Sequence, residues 1–290
     1  MSISLRRATR PASIAIVLFL SVPASAADWP QRRGPNRDGV VHGVAVPAKW
    51  PKTLKEEWKV DVGQCVSSPV VVGRSVYLLT RKMSKGPDPT VGGDFILNGD
   101  ETVLCLDLAS GNEKWHSNYS APFRLGGPAH GYEGPRSTPA VADGRIFSFG
   151  IGGILSCLNA KTGELHWRKD FVKEYSATAP GWGTAASPLV DRGLCIVHVG
   201  GPDKGALTAF DAATGDVKWS CDGDGPAYAS PILVDLAGER QVVTLTINNF
   251  VGVSATTGKL LWKVPCHEIH SEHCLTPVQL PGSDHLRWSR

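Results

Sequence analysis

Short apolar runs, rich in β-branched and aromatic residues, recur along the chain between clusters of turn residues. Each is about five residues long, which is the length of a strand and too short for an amphipathic helix. The runs are Ser75–Leu79, Arg145–Phe149, Cys195–Val199 and Gln241–Leu245. The pattern therefore predicts an all-β protein with almost no helix.

A second pattern follows each run and places a small polar residue, a glycine and a tryptophan at fixed spacing. Gly215 lies four residues after Asp211, and Trp219 lies four residues after Gly215. The same spacing recurs in Asp107–Trp115, Asn159–Trp167 and Ser254–Trp262. A side-chain oxygen that bonds the backbone two residues on starts a tight turn, and glycine supplies the positive φ. We expect a turn between two strands, with the tryptophan stacked between neighbouring units, where one indole buries about 150–250 Å².

A Ser-Pro or Thr-Pro pair, here called the proline mark, precedes each run. The marks are Ser68-Pro69, Thr138-Pro139, Ser187-Pro188, Ser230-Pro231 and, with no turn unit after it, Thr276-Pro277. Because proline cannot donate to a ladder, each mark predicts an edge strand. One repeat is thus edge strand, strand, strand, turn and tryptophan-bearing strand.

The repeat length points to a β-propeller. Successive tryptophans are separated by 52, 52 and 43 residues (115 to 167, 167 to 219, 219 to 262), close to the period of a propeller blade. The sequence predicts four full four-stranded blades within a repeat region at 57–280. Their expected bounds are about 64–118, 134–170, 183–221 and 227–264.

Two further segments predict parts of one closing blade. Glu57–Val62 is typical of a last strand, and Thr276–Leu280 of a first strand. An irregular segment at 27–56 precedes them, and the tail 281–290 matches no repeat. Because a propeller protects its sheet edges by closing on itself, we expect an incomplete ring in this chain.

The first 26 residues have the pattern of a secretory signal peptide. Arginines precede the apolar run 12–22, and Ala24-Ser25-Ala26 forms a small-residue cleavage site. We expect cleavage at about Ala26/Ala27, a periplasmic or secreted protein, and no transmembrane span after signal removal.

The charge balance changes once the leader is removed. The 30 basic residues less the three arginines of the leader leave 27, against 27 acidic residues. A neutral chain gives no reason to expect nucleic acid or an anionic membrane as partner.

The segment after the leader resembles a known family. Its sequence, Trp29-Pro30-Gln31-Arg32-Arg33-Gly34-Pro35-Asn36-Arg37-Asp38-Gly39, is similar to the opening of secreted bacterial PQQ-like (pyrrolo-quinoline quinone repeat) β-propeller proteins. This superfamily has BamB-like and quinoprotein-like members. The turn units resemble the tryptophan-docking motif of quinoprotein propellers, most closely in 209–219. The resemblance covers 28 to about 280 and implies a ring of seven or eight blades, of which this chain holds only part.

Strand order predicts which face of the propeller carries a site. Links within the first and last strand pairs of each blade lie on one face and are short. Links between middle strands and between blades lie on the other face and hold the long insertions 81–100, 118–133, 170–183 and 265–273. Long loops on a rigid scaffold commonly carry binding sites.

Three residues just before the proline marks are predicted to surround the channel mouth on this long-loop face. They are Arg136, Trp182 and Tyr228, which would form a polar and aromatic pocket for a small molecule, a cofactor or a peptide. The alternative is structural: Arg136 closes an ion pair between blades, and the aromatic rings pack loops.

A cluster of potential metal ligands lies in 266–274. It comprises Cys266, His267, His270, His273 and Cys274, and nitrogen and sulfur donors of this kind can hold Zn²⁺. The spacing differs from the His-Glu-x-x-His pattern of helix-borne zinc sites. The alternative, which the sequence favours, is a solvated loop without metal.

Three functions are compatible with the resemblance, which by itself does not choose among them. A non-catalytic envelope scaffold needs no catalytic residue and no cofactor, and it would bind a protein or small molecule on the long-loop face. A PQQ-dependent dehydrogenase would hold the quinone between a tryptophan and a disulfide of adjacent cysteines, with calcium on carboxylate and amide oxygens. The seven cysteines include no adjacent pair. A hydrolase lacks a Gly-x-Ser-x-Gly motif. The sequence favours the scaffold.

Overall fold

The computed structural model describes residues 28–43, 47–83, 88–89, 95–125, 134–171, 180–201, 204–266, 273–280, 283 and 285–287. The first sheet and its insertion comprise β1 (Val70–Val72), β2 (Ser75–Met83), β3 (Asp88–Pro89), β4 (Phe95–Leu97), β5 (Gly99–Asp107), β6 (Glu113–Ser120) and β7 (Phe123–Leu125). The second sheet holds β8 (Ala140–Ala142), β9 (Arg145–Phe149), β10 (Ile154–Asn159) and β11 (Leu165–Asp170). The third holds β12 (Leu189–Asp191), β13 (Leu194–Gly201), β14 (Lys204–Asp211) and β15 (Val217–Asp222). The fourth holds β16 (Ile232–Leu236), β17 (Glu239–Leu245), β18 (Asn249–Ser254) and β19 (Leu260–Pro265), and β20 (Val278–Gln279) and β21 (Leu286–Arg287) follow.

Each of the four sheets is an antiparallel meander in which neighbours in sequence are neighbours in space. The strand orders are β1-β2-β5-β6, β8-β9-β10-β11, β12-β13-β14-β15 and β16-β17-β18-β19. The register shifts by one residue at the same place in every sheet, where the third strand meets the fourth. An all-β propeller of four-stranded blades, as the sequence predicts, is therefore confirmed.

The turn units form as their residue types dictate. Asp211 Oδ1 accepts from the backbone N–H groups of Ala213 at 2.9 Å and Thr214 at 3.1 Å. Gly215 closes the turn with φ of +78°. The first and second sheets repeat this arrangement with Asp107 and Asn159. The side-chain oxygen and the glycine together fix the hairpin between the last two strands of a blade.

Three of the four repeat tryptophans dock on the turn of the following blade. The indole of Trp167 lies over Gly215, where an added Cβ would stand 2.8 Å from its ring. Its Nε1 donates to the Ala212 carbonyl at 3.2 Å. Trp115 covers Gly163 and Trp219 covers Gly258 in the same way. Trp167 and Trp219 are only 8 % and 7 % exposed, while Trp115 is half-buried.

Trp262 departs from this pattern. Its ring lies back over Gly252 of its own sheet, where an added Cβ would stand 2.1 Å from the indole. Its Nε1 donates to Gln241 Oε1 at 2.7 Å, and its ring meets Phe250 at 5.2 Å. The residue paired with the tryptophan across the last two strands is cysteine or alanine in the other sheets and glycine here. Only a glycine leaves room for the indole to fold back.

One expectation from the sequence needs correction. Residues 57–62 form no strand with any described residue; instead Trp58 covers Gly111 and donates to the Leu108 carbonyl at 2.9 Å, taking the role of a docking tryptophan. At the other end of the described chain, β20 and β21 pair with each other. Within the long links of the first blade, β3, β4 and β7 form an accessory sheet.

Residues 28–37 run across the first strands of successive blades. Trp29 exchanges backbone hydrogen bonds with Val71 at 2.7 and 3.0 Å, and the Pro30 carbonyl accepts from Val141 N–H at 2.8 Å. The buried Arg37 guanidinium then donates to the Pro188 and Ser187 carbonyls at 2.8 and 3.2 Å. This crossing segment, residues 28–37, therefore links the first three blades.

The predicted signal peptide, 1–26, lies outside the described residues. Within the part of the chain that the structure does describe, no helix is long and apolar enough to cross a bilayer.

Candidate functional site

The proline marks are joined around the propeller by their hydroxyl groups. Ser68 N–H donates to Thr138 Oγ1 at 3.2 Å, and Thr138 N–H donates to Ser187 Oγ at 2.9 Å. Ser187 N–H in turn donates to Ser230 Oγ at 2.9 Å. Since each bond joins one blade to the next, the marks hold four edge strands in a fixed arc. This role of the hydroxyl groups was not predicted.

Residues two positions before each mark converge on one cavity. They are Val66, Arg136, Ala185, Tyr228 and Cys274, and the cavity encloses about 370 Å³. Trp182 and Arg32 are the other lining residues that the structure describes. Equivalent positions of five successive repeats can face one space only around the axis of the propeller, so we call this space the axial cavity. Its size is within the range of small-ligand pockets.

The structure brings together the three residues predicted at the channel mouth. Arg136, Trp182 and Tyr228 all line the axial cavity, and Trp182 N–H donates to the Tyr228 hydroxyl at 3.2 Å. Their role in binding stays a prediction.

The sequence prediction missed Arg32, although this residue lies within the family-like opening at 29–39. It also missed Val66, Ala185 and Cys274. The shared offset of two residues before each mark was the signal that could have found these three.

The crossing segment supplies positive charge to this region. Burial and the neighbouring Arg33 lower the pKa of Arg32, and burial with both arginines lowers the pKa of Arg37 to about 9. Arg37 is bonded to backbone carbonyls and to Gln31 Oε1 at 3.0 Å, and Arg33 donates to the Asp38 carbonyl at 2.9 Å. For Arg32, no hydrogen bond or ion pair joins it to any residue that the structure describes, and its Nε is buried.

Only part of the predicted metal cluster lies among the described residues. His273 is buried, and its ring nitrogen Nε2 lies 3.3 Å from the Cys266 carbonyl. Cys266 packs against the fourth sheet, whereas Cys274 lines the axial cavity. His267 and His270 lie outside the described residues. Over the described part of the chain, no three histidine, cysteine or acidic side chains stand close enough to hold a metal ion.

A larger open cavity, of about 970 Å³, lies beside the crossing segment between β16 and β20. Its lining includes Arg37, but that guanidinium already donates to carbonyls. Another buried polar group, Glu101, accepts from Tyr119 at 2.6 Å and from Ile151 N–H at 2.8 Å, and burial raises its pKa. It ties the first blade to the second. The axial cavity is therefore the better candidate for a ligand site.

The described wall of the axial cavity offers groups that can bind a ligand. Its described wall offers two guanidinium groups, a phenol, an indole and a thiol, with apolar surface from Val66 and Ala185. No carboxylate or histidine is among these residues to serve as a general base. Guanidinium groups act as fixed cations that pair with anions.

Comparisons with known proteins agree with the fold. Residues 99–273 match the model of a family described as outer membrane protein assembly factor BamB. The chain is 25% identical over 216 residues to outer membrane protein assembly factor BamB of Bordetella pertussis, covering 73% of this chain and 45% of that protein. It is 25% identical over 222 residues to the dehydrogenase subunit of alcohol dehydrogenase (quinone) of Komagataeibacter europaeus, covering 71% and 29%.

A solved structure, the quinohemoprotein alcohol dehydrogenase ADHIIG of Pseudomonas putida HK5, superposes with a TM-score of 0.51 at 17% identity. The superposition covers 79% of this chain and 39% of that one, and at this identity it shows the fold alone. The chain spans less than half the length of the relatives it matches. The family match, however, extends over more than half of the chain. The chain therefore belongs to the PQQ-like repeat family described as outer membrane protein assembly factor BamB.

Proposed function

We propose that this protein is a non-catalytic β-propeller scaffold of the cell envelope that binds a protein or small-ligand partner on its long-loop face. The observation that carries the proposal is the axial cavity, a concave space lined by equivalent positions of successive blades and by two arginines, without a general base in its described wall. Relatives named outer membrane protein assembly factors support a role in assembly rather than in chemistry.

The placement of the links supports the choice of face. Two-residue links join the first two strands of each blade, such as Asp143-Gly144, and tight turns join the last two. Blade-to-blade links are longer, for example residues 121–139 between β6 and β8 and 171–188 between β11 and β12. Rigid sheets with long links on one side are suited to recognition.

Location in the envelope rests on the predicted leader, 1–26, with cleavage at about Ala26/Ala27, in a periplasmic or secreted protein. Relatives named for outer membrane protein assembly agree with this location.

Site-specific photo-cross-linking tests the proposal. A photoreactive residue in place of Pro122, which is exposed in a long link, should yield a discrete cross-linked partner in envelope extract. The same group in place of Lys161, which is exposed in a tight turn on the other face, is the matched control and should yield none. Equal products from both positions, or none from either, would contradict the proposal.

A second candidate is favoured by the similarity to the quinone-linked alcohol dehydrogenase subunit. In that case PQQ with calcium would be the cofactor, and Arg136, Trp182 and Tyr228 would be its contacts. The sequence lacks the adjacent cysteines that the resemblance implies for such a clamp. Alcohol-dependent dye reduction after addition of PQQ and Ca²⁺ would establish this alternative. We expect none, and no PQQ binding at micromolar concentration.

A further inference from the structure

The first strand of each blade has one backbone edge that faces away from its own sheet, here called the first-strand edge. In β1, Val72 and Ser75 flank a two-residue link and pair with each other across the sheet. Hydrogen-bonded pairs alternate along an antiparallel ladder, so the preceding residue, Val71, turns its N–H and C=O groups away from β2. The link of each blade therefore fixes which residues of the first strand turn outward.

The crossing segment already occupies this edge in the first two blades. Trp29 bonds both outward groups of Val71, at 2.7 and 3.0 Å, and the next residue, Pro30, accepts from Val141 N–H at 2.8 Å. Two adjacent residues of one extended peptide thus bond the edges of two neighbouring blades. The fold itself therefore shows how a peptide binds across this row of edges.

The row of edges continues in β16 and β20. In β16 the two-residue link at 237–238 turns Leu233 outward, as the equivalent link does for Val71. In β20 the Leu280 N–H donates to the His285 carbonyl at 3.0 Å, which turns the neighbouring Gln279 outward. Both residues stand two positions after the proline of their mark, as Val71 does.

These two outward residues keep their backbone groups unpaired within the described part of the chain. β16 bonds only to β17 and β20 only to β21 among the described strands, and no described residue outside them bonds the backbone of Leu233 or Gln279. Both residues line the open cavity of about 970 Å³ beside the crossing segment. An unpaired strand edge next to open space is a template for pairing with another chain.

The wall of this cavity favours an uncharged, apolar occupant. Its aliphatic lining residues are Ile232, Val234, Pro277, Val278 and Leu280. The charged lining groups already have partners: Arg37 donates to two backbone carbonyls, and Asp38 accepts from Val40 N–H at 2.8 Å and lies 4.0 Å from His42. Alternate side chains of an extended peptide point to opposite sides, so an apolar residue at every second position suffices to cover this wall.

We propose that the edges of β16 and β20 bind an extended, uncharged peptide of a partner protein, with apolar side chains at alternate positions. The peptide bonds the outward backbone groups of Leu233 and Gln279 in the way that the crossing segment bonds the first two blades. Backbone bonds supply affinity, and the apolar wall selects the side chains. The inference goes beyond the proposed function, since this cavity and the axial cavity share no described lining residue.

Fluorescence anisotropy with a labelled synthetic peptide tests the inference on the whole protein. The probe is an acetylated and amidated hexapeptide of alternating threonine and valine, which should bind saturably. The same hexapeptide with every amide N-methylated has lost its backbone donors and should bind at least about tenfold more weakly. No binding of the parent peptide, or equal binding of the two, would overturn the inference.

A proline variant locates the binding. Leu233→Pro removes the outward N–H and keeps the bonds to β17, because proline is tolerated at a strand edge whose N–H faces away from the sheet. Leu233→Ala is the matched control, since it shortens the same side chain but keeps the donor. The proline variant should bind the hexapeptide about tenfold more weakly than the alanine variant. Equal affinities would contradict the assignment.

Amide hydrogen exchange gives a readout on the unaltered protein, should Leu233→Pro fold poorly. Saturating hexapeptide should slow exchange in 232–236 and 277–280. Exchange in 70–72 should stay unchanged, because Val71 already bonds Trp29 there. An unchanged rate in the first two segments, or equal slowing in a fourth strand such as β11, would contradict the proposed edges.

The same measurement separates a partner peptide from a second copy of this chain. If exchange in 232–236 slows as the protein concentration rises without peptide, and sedimentation shows a dimer, then a second copy occupies the edges and the inference fails. Slowing that depends on the hexapeptide alone supports the peptide site.

Discussion

Trp219 and Trp262 occupy the same place in neighbouring repeats, yet they pack in opposite directions. Trp219 reaches forward over Gly258, donates to the Ala255 carbonyl at 3.2 Å and is 7 % exposed. Trp262 folds back over Gly252, donates to Gln241 and stays half-buried. The sequence motif therefore specifies a turn and an indole, but not the surface that the indole covers.

Two local features account for the difference. Within the described residues, no further turn glycine lies under Trp262, whereas Trp219 has Gly258. In addition, the residue paired with the indole across the strands is Ala209 for Trp219 and Gly252 for Trp262. Because Gly252 has no side chain, the indole of Trp262 can pack directly on the backbone there. The methyl group of an alanine at this position would prevent that packing.

The largest expected effect is from removal of a forward-docked indole. Trp167→Ala should lower the free energy of unfolding by about 3–5 kcal/mol, the usual cost of truncating a large core aromatic residue. Trp262→Ala should cost about 1–2 kcal/mol, because it loses one hydrogen bond and one aromatic contact. Urea denaturation of both variants measures the difference, and equal losses would show that docking direction has no energetic consequence.

The next largest loss of stability is expected from a methyl group added under a docked indole. Gly215 has φ of +78°, and its added Cβ would lie 2.8 Å from Trp167. Gly215→Ala should therefore cost about 2–4 kcal/mol from backbone strain and overpacking combined. Gly144→Ala, which has φ of +72° but nothing within 4 Å, is the control for strain alone. Thermal unfolding of the two variants separates the terms; a control that matches Gly215→Ala would leave no role for the indole.

The interface that Trp219 closes also contains a histidine that should make it sensitive to acid. His198 lines a cavity of about 130 Å³ between the third and fourth sheets, donates through Nε2 to the Asp224 carbonyl at 3.0 Å, and has a buried Nδ1. Burial lowers its pKa from 6.5 to about 4. Between these two pKa values the imidazole is therefore protonated in the unfolded chain and neutral in the folded chain. The free energy of unfolding falls as the pH drops from above 6.5 towards 4.

The expected loss between pH 8 and pH 5 is about 2 kcal/mol. Urea titrations of the native protein and of His198→Gln measure it, and the variant should show a shallower pH dependence over this window. An identical dependence in the two proteins would mean that His198 does not titrate differently on folding.

The smallest loss of stability should follow from blocking Gly252, the residue over which Trp262 folds back. In Gly252→Ala the new methyl group would overlap the indole of Trp262, which can swing towards solvent because it is already half-buried. We expect a stability loss below about 1 kcal/mol, together with a red shift in tryptophan emission. Gly252→Ala in a Trp262→Phe background should abolish most of the shift. A loss as large as that of Gly215→Ala would contradict the comparison.

The repeat itself was predictable because its causes are local. Asp211, Gly215 and Trp219 lie within nine residues, and their turn chemistry acts over that distance. Trp58 was assigned to a strand instead, because its partner Leu108 lies 50 residues on. The bond between Ser187 and Ser230 likewise depends on how blades are placed beside each other.

The candidate site was predictable in part for the same reason. Arg136 and Tyr228 stood out because they combine a repeat position with a functional side chain. Arg32 belongs to no repeat, and its place in the cavity depends on the path of the crossing segment over three blades.

That path has a consequence for folding. Tryptophan docking joins only adjacent blades, and a stack held by neighbour contacts alone would fray from its ends, unit by unit. The crossing segment adds bonds of much longer range: Arg37 meets Pro188, which is 151 residues away along the chain. The crossing segment is synthesised before every blade that it contacts. It can reach its final position only after three blades have folded. Contacts of such high contact order slow folding, and in the folded chain they couple the first three blades into one cooperative unit.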